Sequence, residues 1–307
     1  MISSSDIISR SFSLYKENFL DYVKYIILNL LPGMIGVGLF FVFGTTAALG
    51  ATAFDVTSVA SLGFGVFLLV AAMLLIIGIA FWINIAFLRM IGVKDRGDDT
   101  ESVLDNFLEV RSKFWRAIGT SIVMAIYAGW PTLVVAALVA LLNVIGVNVS
   151  GGVAIFMTLL GIAAILLGLY FSVRVFFAVF HVILEDADIF EAIDFSQNKV
   201  IGNWFGVFWR LIAPAVVFFV VTILVQIVLG GLSAVVDSLA ISAIFSIALF
   251  VFQLLIPPLY PTAQVVLYND LSDSSLATSS DPGDQDQSES SSQSNEGEVD
   301  LENSLDS

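Results

Sequence analysis

The chain has 307 residues, of which 58% are hydrophobic and only 13% charged; about 25% charged is ordinary for a soluble globule, so that class is excluded. It holds no cysteine, which removes disulfides, thiol catalysis, Fe–S clusters and Cys-ligated zinc. Its net charge of −15 is carried mainly by the last 38 residues, with eleven acids and no base, and no basic stripe with interleaved aromatics points to nucleic acid.

In chain order, the first element is a short amphipathic helix near residues 4–18, in which Ile7, Ile8, Phe12 and Tyr15 recur at helical spacing. Apolar runs near 22–45 and 61–91 follow, each long enough to cross a bilayer, which takes about 20 residues. A second amphipathic stretch near 99–112 leads to runs near 115–146 and 152–183, and a third near 189–200 leads to runs near 204–232 and 238–268. No basic start with a cleavage site precedes the first run, so that run is expected to act as the insertion signal. From Asp270 the composition turns to Ser, Asp, Glu, Gln and Gly, which predicts a disordered acidic tail over 270–307.

All twelve Lys and Arg residues fall on one side of this six-span reading. Basic loops stay in the cytoplasm during insertion, so the pattern predicts a multi-pass protein of the cytoplasmic membrane with both termini inside.

The three stretches also read as copies of one unit. Phe12, Phe107 and Phe195 are each followed four residues later by a base, Lys16, Arg111 and Lys199. Candidate caps Ser3, Asp98 and Asp188 stand three residues before Asp6, Glu101 and Glu191, the spacing of a capping box. A proline lies in each odd-numbered span, at Pro32, Pro131 and Pro214. The expected fold is therefore all-α and polytopic: three repeats of an amphipathic helix plus a helical hairpin, over about 1–92, 98–184 and 188–269.

Candidate residues are few. Arg174 is the most deeply placed charge; a guanidinium in hydrocarbon costs roughly 2.5–3.5 kcal/mol, so it either anchors a lipid phosphate or pairs with Glu185 or Glu191 to clamp the third amphipathic helix. With Lys199, these form a set of structural or headgroup candidates. Asn29, Asn84, Gln226 and Gln253 are polar within spans; Asn84 and Gln253, with the three prolines, are candidates for lining a solute pathway, against the commoner role of interhelical bonds. The single histidine, His181, has no Cys or second His beside it; Glu185, Asp186 and Asp188 follow closely and leave a metal or proton-relay role as the lesser alternative to a plain boundary residue. No phosphate loop, zinc-protease helix or nucleophile elbow occurs, so no catalysis and no cofactor are expected.

The order Arg174, Glu185, Glu191-Ala192, Ser196, Lys199 and Trp204 resembles the motif between spans four and five of a broad prokaryotic membrane family. That family is named for the membrane domain attached to some glycerophosphoryl diester phosphodiesterases. Pro257, Pro258, Ala263, Val266-Leu267-Tyr268 and Asp270-Leu271 resemble its closing signature, and Ser11-Phe12 to Phe19 its opening. The resemblance covers about residues 5–272, leaving His181 and the acidic tail outside the pattern. It implies a six-span fold with a role in envelope or lipid biology; the phosphodiesterase activity of fused members belongs to a separate soluble barrel that has no counterpart here. The expected function is a non-catalytic scaffold that binds membrane lipids, a membrane-protein partner or further copies of itself. The alternative is a transporter or flippase for a small or lipid solute.

Overall fold

The computed structural model describes residues 2–53, 59–98, 102–147, 150–235 and 238–279, and these are helical almost throughout. Helix α1 (Ser4–Glu17) opens with the expected capping box. Ser3 Oγ accepts the Asp6 N–H at 3.2 Å and the Asp6 carboxylate accepts the Ser3 N–H at 3.2 Å, satisfying two donors of the first turn. Its buried face is Ile7, Ser11, Leu14 and Tyr15. Phe12, on the other face, is 57% exposed.

Helices α2 (Phe19–Ala53) and α3 (Val59–Asp95) form the first hairpin. The long α4 (Val103–Val144) pairs with α5 (Gly151–Val175), which a two-residue break separates from the short α6 (Ala178–Glu185). Then come α7 (Ile189–Val200), α8 (Trp204–Val235), α9 (Leu239–Leu255) and α10 (Leu259–Ser279). Among the described residues, six segments are long and apolar enough to cross a bilayer: Phe19–Leu39, Phe67–Asp95, Val103–Val144, Gly151–Glu185, Trp204–Val235 and Leu239–Asp273. The chain is a polytopic, all-α membrane protein.

Four expectations change. The second amphipathic stretch is not a separate helix; it is the start of α4, because Lys113-Phe114-Trp115 contains nothing that stops a helix. Its cap is Ser102, whose Oγ accepts the Asp105 N–H at 3.3 Å, four residues beyond the expected Asp98; Glu101 lies outside the described residues. Span six is broken at Pro257-Pro258, since proline lacks the N–H a helix interior requires. The tail also begins later than composition suggests, as α10 runs to Ser279 and Leu271 is only 1% exposed. Leu271 lies one turn after the buried Leu267 and continues its stripe; residues 280–307 lie outside the described residues.

The three span prolines sit inside α2, α4 and α8, all buried, and each helix continues through. What decides the shape is where burial concentrates. Tyr22, Tyr25, Ile85, Ile91, Val110, Val175, Phe177, Ile183, Leu267 and Tyr268 are almost fully buried, and all lie toward the end that carries the bases. There α1, α6, α7 and α10 interlock the hairpins. Toward the far end, α8 exposes Val216, Phe219, Val220, Leu224, Ile227 and Val228, a face that takes in about half of its circumference. Helix α5 does the same through Ile155, Phe156, Leu159, Ile162 and Ile165. The hairpins thus share a packed base and separate above it. Lipid tails are as apolar as these side chains, so such surface needs no protein cover in a bilayer.

Candidate functional site

The polar side chains gather in the packed base as a collar of bonds between helices distant in sequence. At its centre is Asp95, the last residue of α3, whose side chain is 1% exposed. Its carboxylate accepts Arg10 Nε of α1 at 2.7 Å and Asn269 Nδ2 of α10 at 2.8 Å. Arg96 donates to Asn269 Oδ1 at 3.2 Å and reaches the Glu185 carboxylate at the end of α6. Beside this, Asp270 accepts the Ile2 N–H at 3.0 Å and Arg210 of α8 donates to the Ile2 carbonyl at 2.8 Å. One network therefore ties α1, α3, α6, α8 and α10. Buried polar groups of this kind hold a single arrangement only when all are satisfied.

Two further joints complete the collar. Arg89 of α3 donates to Asn106 Oδ1 of α4 at 2.6 Å and contacts the Glu109 carboxylate. On the other side of α4, Lys113 Nζ donates to the Ile183 carbonyl at 2.8 Å, and Arg116 to the carbonyl and carboxylate of Asp186 at 2.7 and 2.6 Å. Asp186 is left-handed, with φ of 60°, so α6 ends there and turns its last carbonyls toward these cations.

The sequence candidates take separate places in this collar. Arg174 does not pair with Glu185 or Glu191; it donates to Gln197 Oε1 of α7 at 3.2 Å and lies 5.8 Å from the Tyr170 ring centroid. It therefore does meet α7, through an amide in place of a carboxylate. Glu185 instead serves Arg96, and Glu191 caps α7, accepting the Asp188 N–H at 3.4 Å. Lys199 lies 5.3 Å above the Phe195 ring, and burial lowers its pKa below the usual lysine range. His181 stacks on Phe195 with centroids 3.8 Å apart and brings Nδ1 to 2.8 Å from the Tyr268 hydroxyl. Among the described residues, no group of three or more His, Cys, Asp or Glu could hold a metal.

A residue of the family-like motif proves structural in a definite way. Ser196, fully buried, donates to the Arg174 carbonyl at 2.8 Å and accepts the Phe177 N–H at 3.1 Å. It thereby satisfies two of the backbone groups freed by the break between α5 and α6. Ser196→Ala leaves them unpaired in a dry site, which costs about 1–3 kcal/mol. Thermal unfolding in detergent should register that loss; an unchanged midpoint would mean another group covers the break.

The pathway candidates point elsewhere. Asn84 is exposed on α3 and its amide returns to its own helix, donating to the Ala80 carbonyl at 2.9 Å. It nevertheless shares a stripe with the buried Phe87 and Ile91, three and seven residues on. Asn29 is likewise exposed on a stripe with the buried Tyr22, Tyr25 and Pro32. Ile83, Ile85 and Ala86 beside Asn84 are buried, as is Pro32 above Asn29, so both amides are exposed at levels where their helices are still packed. Gln253 of α9 and Gln226 of α8 are exposed too.

Comparison of the chain with family models, with curated proteins and with solved structures returned no match.

Proposed function

We propose that this protein is a non-catalytic module of the cytoplasmic membrane whose separated hairpins hold lipid or a membrane-protein partner. The observation that carries this reading is the contrast between a base fixed by buried polar bonds and apolar hairpins left unpartnered above it. The base faces the cytoplasm, in keeping with the bases it collects. Contacts at the base also favour three repeated units. The end of the first hairpin meets the start of α4 through Arg89 and Asn106, the end of the second meets α7 through Arg174 and Gln197, and the end of the third meets α1 through Asp270 and Ile2. Each unit thus grips the opening helix of the next, and the third grips the first. The family resemblance, with its lipid or envelope role, is in line with the same reading.

The test is a native mass spectrum of the full chain released from polymer discs that carry its own bilayer. A stoichiometric lipid or second protein that survives transfer is the expected result. The transport reading draws on Asn29 and Asn84, exposed amides within two spans. Flux of a solute into proteoliposomes that is lost in Asn84→Leu would replace the scaffold by the transporter.

A further inference from the structure

A cavity of about 230 Å³ opens at the base between α2, α3 and the first turn of α4, away from every residue nominated above on sequence grounds. Its lining includes Lys24, Lys94, Asp21, Tyr25 and Ser102. Lys24 donates to Asp21 at 2.8 Å, and Lys94, with a side chain only 17% exposed, lies 3.7 Å from the other Asp21 oxygen. One carboxylate thus serves two ammonium groups, so the lining residues themselves carry one surplus positive charge, with the Asp105 carboxylate 2.5 Å from the Ser102 hydroxyl at the rim. The leading N–H groups of a long helix add to the attraction for an anion.

Tyr25 supplies the second observation. The residue is 1% exposed, and its ring stacks on Phe107 at 6.1 Å. Its hydroxyl accepts a bond from Asn106 Nδ2. That amide cannot be turned round, because Arg89 donates to its Oδ1 and its Nδ2 also donates to the Ala86 carbonyl at 2.7 Å. The Tyr25 hydroxyl proton therefore has no acceptor among the described residues. A buried donor against a cavity with surplus positive charge requires an oxygen acceptor, and an anionic one fits best.

We propose that this cavity binds the phosphate of an anionic phospholipid. The depth decides for lipid over a soluble ester: Leu20, beside Asp21, is 75% exposed and Leu104, beside Val103 of the lining, is 68% exposed. Apolar side chains of that size at the mouth belong at the level of headgroups and upper acyl chains. The proposal deepens the lipid-holding reading and rests on it.

The experiment places the full chain in nanodiscs of mixed phosphatidylglycerol and phosphatidylcholine and counts the lipids retained by native mass spectrometry. Lys24→Gln/Lys94→Gln should lower phosphatidylglycerol retention by about thirtyfold, on the scale of about 1 kcal/mol per cation near an anionic surface. Lys16→Gln/Arg111→Gln removes the same charge from exposed positions and should leave retention nearly unchanged. Tyr25→Phe should lower it about threefold without changing phosphatidylcholine, and it decides the matter if the double variant does not fold. Equal retention in the two double variants would overturn the site. So would glycerol phosphate bound by lipid-free protein in detergent in the same Lys24- and Lys94-dependent way, which would make the anion a soluble one. Either result leaves the broader scaffold reading standing, because that reading depends on what the unaltered chain retains from its own membrane.

Discussion

Asp95→Ala should lower the stability of the folded chain by about 1–3 kcal/mol, the range found when a buried hydrogen-bonding group loses its partner. The loss does not come mainly from Arg10, whose side chain is 47% exposed and can turn toward water. It falls on Asn269, which is 3% exposed and whose Nδ2 would lose its acceptor with no water to replace it. Arg96 would then share Asn269 Oδ1 across a joint that has lost its anion. Glu185→Gln offers the comparison. The Arg96–Glu185 pair is about one-third exposed on each side, so its removal should cost under about 1 kcal/mol. Reversible unfolding in mixed micelles, followed by tryptophan fluorescence, measures both. Equal losses in the two variants would mean that Asp95 is reached by solvent and is not the centre of the collar.

The contrast between these two acids also marks what could be read from the sequence. Glu185 was singled out there and Asp95 was not, because Asp95 reads as one more charge at the end of an apolar run. Its meaning comes from Asn269, 174 positions away, which only tertiary packing brings to it. Features set by local chemistry were readable: the capping boxes at Ser3–Asp6 and Asp188–Glu191, the six spans and the three helix-internal prolines all follow from residues within a turn or two. The second cap was not, since Asp98–Glu101 and Ser102–Asp105 offer overlapping boxes four residues apart and nothing local separates them. The break at Pro257-Pro258 had a visible signal; the one at Phe176-Phe177 has none, because both residues sit comfortably in an apolar helix and the turn depends on Ser196 of α7. Likewise, nothing in the composition around Tyr25 announces a cavity. It exists because three helix ends meet there.

A large side chain at position 168 should be at least as damaging as the loss of Asp95, for a different reason. A Cβ built on Gly168 of α5 would stand 2.9 Å from the Ala128 carbonyl oxygen of α4. The obstacle is backbone, so it cannot rotate away, and the two helices must separate. Small residues at such crossings let membrane helices approach closely, since dispersion and not hydrophobic exclusion holds them together. Gly168→Ala should cost about 1–3 kcal/mol as an overpacked contact, and Gly168→Leu more than about 3 kcal/mol. Separation would also lift Phe171 from Tyr127 and Trp130, whose ring centroids lie 5.1 and 5.8 Å away. The tryptophan emission of Gly168→Leu should therefore shift before the chain unfolds. Gly161 on the same helix has nothing within 4 Å of its virtual Cβ. Gly161→Ala should be neutral or slightly stabilising, because alanine is the better helix former by about 1 kcal/mol in a helix interior. If both glycines tolerate leucine equally, α4 and α5 do not cross closely at Gly168. Unequal losses would locate the tight point of the second hairpin just above the collar, leaving the far halves free to move apart around whatever they hold.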